Sequence, residues 1–210
     1  MSNDHSQPGD HCGGDYCGIL LAAGYSRRFG GDKLMHSLSN GLAMACMSAL
    51  NLQQVLPKTL AVVRPDQNDL AEQFARHGIK TVTVKPGNTP SCAQEGLGLS
   101  IATGVAATPN AQGWIIALAD MPYIQPASIR HVLLALQQGS LMAAPSFQKR
   151  RGHPVGFAAP FGQALRALRG DQGAKNLLIQ HHNVLKLVPC QDKGILADID
   201  TPTDLLACSP

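Results

Sequence analysis

The sequence predicts a doubly wound α/β protein, a mostly parallel central sheet with helices on both faces. Three observations predict it. Short, unbroken apolar runs recur at residues 19–23, 59–63 and 113–119, the pattern of parallel strands buried on both faces. Amphipathic stretches with apolar residues at helical spacing lie between such runs, giving a strand–helix–strand rhythm. Finally, the first run opens into a loop rich in Gly, Arg and Lys, and the strongest run into Asp120-Met121-Pro122. Open α/β sheets bind their ligands at the carboxyl ends of strands.

Bulk properties narrow the function. A chain of 210 residues, 44% apolar and 15% charged, makes one folded domain, read as residues 16–210 after a polar tail at 1–15 that is expected to be disordered. No apolar run approaches the ~18 residues that span a bilayer, and the start has neither a basic region nor an apolar stretch of a signal peptide. Net charge is only +3, with basic residues scattered apart from Arg27-Arg28 and Lys149-Arg150-Arg151, which argues against a nucleic-acid partner. The six cysteines form no C-x-x-C pair, so a zinc site is not expected and the cytoplasm is the simplest compartment.

Taken in order, residues 42–52 read as a helix opened by Asn40-Gly41, 59–63 as the second strand, and 66–77 as a helix with Leu70, Ala71 and Phe74 inward and Gly78 as its stop. Residues 79–84 alternate like a half-exposed strand. A long turn-rich segment, 86–99, carries Gly96 and Gly98 and runs into a helix over 100–107; Ser100 reads either as a ligand contact or as the helix N-cap. Residues 113–119 should form the central strand. Residues 126–138 make an amphipathic helix, 141–144 a short strand, and 149–157 a basic turn joined to an extended segment. That turn is either a solvated hairpin tip or a substrate contact, and His153 either lines the site or caps the turn. Helices follow at 161–168 and 174–181, the second opened by the polar turn Gly170-Asp171-Gln172-Gly173, and then a strand at 184–188. Near the end, Thr201-Pro202-Thr203-Asp204 has the form of a helix start.

The loop after the first strand, Gly24-Tyr25-Ser26-Arg27-Arg28-Phe29-Gly30-Gly31-Asp32-Lys33, suits an anion. Glycines let backbone N–H groups close on a ligand, and Arg and Lys supply charge of the right sign for phosphate. It is not a P-loop, because Phe29 stands where the second glycine belongs, nor the dinucleotide fingerprint, because Ser26 stands two residues after Gly24. A solvated strand-to-loop connection is the alternative. Asp120, directly after the central strand, suits a hard cation such as Mg²⁺ or serves only as a turn residue. Asp198 and Asp200 alternate around Ile199, so one of them faces the edge where Asp120 lies.

Four segments together resemble the MobA-like nucleotidyltransferases, most closely their molybdenum cofactor cytidylyltransferases. The family loop A-A-G-x-S-x-R-M-G-x-x-K is matched from Ala22 to Lys33, with Phe29 in place of Met. Asp120-Met121-Pro122 matches its Asp-x-Pro, Gly152-His153-Pro154-Val155 its Gly-His-Pro-Val, and Asp198-Ile199-Asp200-Thr201-Pro202 its terminal element. The resemblance implies a Rossmann-like nucleotidyltransferase fold and Mg²⁺-dependent transfer of CMP from CTP to molybdopterin cofactor, with release of pyrophosphate. It implies nucleotide contacts at Leu21, Ala22, Ala23, Gly24, Ser26, Arg28, Gly30 and Lys33, with Gly96, Gly98 and Ser100 near the base or ribose. Arg28, Lys33 and Asp120 would be catalytic, Asp120 and Asp200 would hold magnesium, and His153 would contact the acceptor substrate. A molybdoenzyme of the xanthine dehydrogenase type would be the downstream partner. The Ala22-Ala23-Gly24 start favours CTP, whereas Gly30-Gly31-Asp32-Lys33 keeps GTP in play. A sugar phosphate acceptor and a non-catalytic nucleotide-binding module are the competing readings.

Overall fold

The computed structural model describes residues 15–24, 29, 32–84, 96–201 and 203–205. The core of the fold is one sheet containing β1 (Tyr16–Leu21), β2 (Thr59–Val63), β3 (Lys80–Thr83), β4 (Gly113–Leu118), β5 (Met142–Phe147), β6 (Arg150–Arg151), β7 (Val155–Ala158) and β8 (Leu185–Pro189). Its order is β3-β2-β1-β4-β7-β5, with β6 and β8 also paired to β5. β3, β2, β1 and β4 are mutually parallel, and β8 is parallel to β5. β7 runs antiparallel between β4 and β5. The sheet is therefore mostly parallel, as the unbroken apolar runs predict, with β7 and the two-residue β6 reversed.

The reversal originates in the basic turn. β5 and β6 form a hairpin whose two linking residues, Gln148 and Lys149, both have positive φ, 49° and 64°. Two-residue hairpin loops take this conformation because it matches the twist of the paired strands. Two β5 residues beyond the four-residue run at 141–144 take part in the hairpin, Ser146 and Phe147. The strand is longer than its apolar run because cross-strand pairing, not hydrophobicity, sustains its far end.

Residues alternate between the two faces of each strand, so the sheet divides two cores. Leu20, Ala61, Val63, Ile115 and Ala117 face α1 (Met44–Gln53), α2 (Asn68–Arg76) and α4 (Pro126–Gln137). Cys17, Ile19, Leu21, Val62, Trp114 and Ile116 face α3 (Leu97–Ala106) and α5 (Gly162–Arg166), with α6 (Lys175–Gln180) against the same face. This two-sided burial is why β1, β2 and β4 have no polar alternation. α2 packs through Leu70 and Phe74 and stops at Gly78, φ 71°, whereas Ala71 is only partly buried. The helix at 97–106 starts three residues before the expected position because Gly96, φ 129°, opens it. Ser100 thus lies inside the helix, and its hydroxyl donates to the Gly96 carbonyl at 3.2 Å instead of capping.

The chain passes from β1 through α1 and α2 on one face, then returns through α3 on the other to reach β4 beside β1. The strand order reverses there, and a crevice opens at the carboxyl ends of β1 and β4.

Gly104 shows how closely α3 lies on the sheet. A Cβ there would stand 2.5 Å from Ile19 Cγ2 and 3.0 Å from Val62 Cγ2. Ile19 and Val62 are fully buried and β-branched, so neither can swing aside. Alanine normally favours a helix over glycine by about 1 kcal/mol, but overpacking costs about 1–3 kcal/mol. Gly104→Ala should therefore destabilise the fold, by up to about 2 kcal/mol in urea denaturation; a gain in stability would show that α3 stands farther from the sheet.

Candidate active site

Three distant segments meet at the crevice. Lys33 opens a short 3-10 helix, Lys33–Met35, after the glycine loop, and its side chain is 9% exposed. Its Nζ donates to Asp120 Oδ2 at 2.9 Å and to Asp200 Oδ1 at 3.1 Å. The two carboxylates are more open, 26% and 44% exposed. The ammonium therefore sits behind a pair of acids that face the cleft. Burial alone would lower the Lys33 pKa, but the hydrogen bonds and charges of Asp120 and Asp200 outweigh it and hold the pKa above the ordinary lysine value.

Backbone bonds fix each partner. The Ile199 N–H donates to the Asp120 carbonyl at 3.0 Å, and Ile199 is fully buried beside Leu38 and Met44. Asp198 is exposed, whereas Asp200 turns to Lys33, so the structure selects Asp200 from the alternating pair. Asp204 accepts the N–H groups of Asp200 and Thr201 at 3.0 and 2.7 Å and the Thr201 hydroxyl at 2.9 Å. These bonds hold the Asp204 carboxyl below its ordinary pKa. The Asp120 turn is gripped from α1: Ser48 Oγ donates to the Ala119 carbonyl at 2.9 Å, and Asn51 Nδ2 to the carbonyls of Pro122 and Ile124 at 3.0 and 3.1 Å. The start of the glycine loop is gripped from the turn between β2 and α2, where Arg64 Nη1 donates to the Gly24 carbonyl at 2.7 Å and Gln67 Nε2 to the Ala22 carbonyl at 3.2 Å.

These groups border a cleft of about 370 Å³ lined by Leu21, Ala23, Gly24, Lys33, Gly96, Ser100, Asp120 and Asp200 of the residues singled out in the sequence, together with Asp171. Ala22 is buried, and its carbonyl is taken by Gln67. Gly98 does not border the cleft. A Cβ on it would stand 2.7 Å from the Arg169 carbonyl, so this glycine admits a neighbouring turn and not a ligand. Ser26, Arg28 and Gly30 lie outside the described residues. The sequence reading missed Asp171, Asp204, Arg64 and Gln67; the polar turn around Asp171 and the Thr-x-x-Asp spacing of Thr201 and Asp204 were the available signals.

A second pocket of about 180 Å³ adjoins the first through Leu21, Leu97 and Leu118. Its floor is apolar, including Ile116, Val155 and Phe157, and Arg151, His153 and Lys175 also line it. His153 follows the hairpin, its peptide N–H donating to the Ile195 carbonyl at 2.9 Å. Its Nδ1 is buried without a hydrogen-bond partner among the described residues. Burial, then the charge of Arg151, lowers its pKa to about 4 against the partial opposition of Asp120 and Asp198. At neutral pH it is an uncharged imidazole.

The donor set fits Mg²⁺. Two carboxylates converge on one cationic nitrogen, and among the described residues no third His, Cys, Asp or Glu joins them in a metal-holding group. Mg²⁺ commonly takes one or two carboxylates and completes its shell with water and phosphate oxygens.

The model of the MobA-like NTP transferase domain matches residues 18–184. The chain belongs to the MobA-like NTP transferase family. The purine catabolism protein PucB of Bacillus subtilis is 31% identical over 194 residues, 89% of this chain and 92% of PucB. Among solved structures, the manganese complex of Rv0371c from Mycobacterium tuberculosis superposes with a TM-score of 0.75 at 21% identity, covering 93% of this chain and all of that one. A nucleotidyl transferase from Methanothermobacter thermautotrophicus, Mth528, gives 0.76 at 19% identity, covering 93% and 96%. The fold is thus the Rossmann-like nucleotidyltransferase fold, and membership of the family makes this protein a nucleotidyltransferase.

His153 supplies a test of the site's electrostatics. With a folded pKa near 4 and an ordinary value of 6.5, the unfolded chain binds a proton first as pH falls. The native state should therefore lose stability progressively from pH 6.5 down to 4, by about 3 kcal/mol from this group. His153→Gln should remove that part of the pH dependence in denaturant titrations. Identical slopes for both proteins would mean His153 is not buried in the neutral form.

Proposed function

We propose that this protein transfers CMP from CTP to the terminal phosphate of molybdopterin cofactor, giving the cytosine dinucleotide form and pyrophosphate. The observation that carries the reading is the Lys33 ammonium between Asp120 and Asp200, at the crevice where the glycine loop leaves β1. Lys33 and the loop from Gly24 onward, with Ser26, Arg28 and Gly30, would bind the triphosphate. Asp120 and Asp200 would hold Mg²⁺, which when bound neutralises charge building on the phosphates. An oxygen of the acceptor phosphate attacks the α-phosphorus, a new P–O–P link forms, and the bond to the β-phosphate oxygen breaks, its electron pair leaving with pyrophosphate. An acceptor phosphate is already ionised at neutral pH, so no side chain need act as base. Positioning and charge stabilisation supply the acceleration.

The nucleoside would lie toward α3, near Leu21, Ala23, Gly96 and Ser100, and the acceptor in the adjoining pocket beside His153. The neutral imidazole offers a hydrogen bond without attracting the triphosphate, while Arg151 and Lys175 give that pocket cations for an anionic acceptor. Ala22-Ala23-Gly24 supports CTP, and Gly30-Gly31-Asp32-Lys33 favours GTP as the second reading. A client molybdoenzyme of the xanthine dehydrogenase type is in keeping with the relative PucB, whose name places it in purine catabolism.

Pyrophosphate release measured with Mg²⁺ and molybdopterin cofactor should occur with CTP and not with ATP or UTP. Release with GTP alone would move the protein to guanylyl transfer, and release only with a sugar phosphate would replace the acceptor. Asp120→Ala should cost a factor of about 10² or more in rate; near wild-type activity would remove Asp120 from the site.

A further inference from the structure

The turn between α5 and α6 belongs to neither of the metal and phosphate segments, yet it forms part of the cleft wall. Gly170 and Gly173 have φ of 70° and 55° and bend it onto the first turn of α3. The Gly98 N–H donates to the Gly170 carbonyl at 2.8 Å. A Cβ on Gly173 would stand 2.6 Å from Leu97 Cδ2, and one on Gly96 would overlap Asp171 Oδ1. Glycines on both sides thus clear the space into which the Asp171 carboxylate projects. That carboxylate is exposed and lines the same cleft as Lys33, together with Gly96, Leu97 and Ser100. It has no hydrogen bond or ion pair among the described residues.

A carboxylate in a nucleotide cleft repels the polyphosphate. The phosphates therefore belong at the Lys33 end and the uncharged nucleoside at the α3 end. What remains there for a carboxylate to bind is a neutral donor, either a ribose hydroxyl or an N–H of the base. We propose that Asp171 reads the nucleoside half of the nucleotide by accepting such hydrogen bonds. The inference rests on the reading of the cleft as an NTP site and adds a residue that selects among nucleotides.

Calorimetric titration with CTP, dCTP, UTP and GTP in Mg²⁺, without acceptor, tests it on wild type, Asp171→Ala and Asp171→Asn. Loss of hydrogen bonds to a charged group should weaken binding of the preferred nucleotide by about 10-fold or more in Asp171→Ala. If the ribose is the donor, wild type should prefer CTP over dCTP and the variant should lose that preference while keeping its choice of base. If the base is the donor, the choice among bases should collapse and the ribose preference stay. Asp171→Asn keeps the shape of the side chain and serves if the alanine variant does not fold. Either variant, folded as judged by thermal unfolding, binding all four nucleotides as wild type does would overturn the assignment. Wild type that binds none of them would instead overturn the NTP reading on which it rests.

Discussion

The ammonium of Lys33 joins two carboxylates from distant later parts of the chain, 87 and 167 residues away in sequence. Left alone, Asp120 and Asp200 would repel one another at the mouth of a cleft. With Lys33 behind them, they are held converging on one point and still open to it. The rest of the local structure serves that arrangement. Ser48 and Asn51 hold the turn of Asp120, Asp204 and buried Ile199 hold the segment of Asp200, and Arg64 and Gln67 hold the backbone that leads toward Lys33.

The cleft divides its chemistry by charge. Lys33 and the acids border one part, and the α3 end carries Gly96, Ser100 and Asp171. The adjoining pocket is apolar below, with Arg151 and Lys175 along its lining and a buried neutral histidine within reach. Leu21, Leu97 and Leu118 are shared by both spaces. A two-substrate transfer needs such a layout, because donor and acceptor must approach from different sides of one reacting phosphorus.

Much of this was legible in the sequence because it is written in local chemistry. Parallel strands announce themselves as apolar runs, and Asp120 and Asp200 stand at the strand end and helix start where short motifs place them. Pairings between distant segments were not legible. The reversed strand β7 follows from the hairpin at Gln148-Lys149; the sequence offers a hairpin tip or a substrate contact there, but not which strands would pair. Ser100 read equally as a cap or a ligand contact; the cap reading fails because the glycine that opens the helix, Gly96, has a positive φ that sequence alone does not display. Gly96 and Gly98 looked like room for a ligand, yet the Cβ space beside them is taken by Arg169, Gly170 and Asp171, a turn some 70 residues later. Asp171 was passed over for the same reason, since nothing near it in sequence indicates that its turn meets α3.

The most direct test of the central claim is a crystal structure with Mg²⁺ and a non-hydrolysable CTP analogue. The arrangement described here predicts the ion at the Asp120 and Asp200 carboxylates, with the Lys33 ammonium on a phosphate oxygen and the triphosphate along the loop after Gly24. Lys33 still bonded to both acids, with the nucleotide held elsewhere, would show that this cluster only stabilises the fold and would contradict the assignment of the active site.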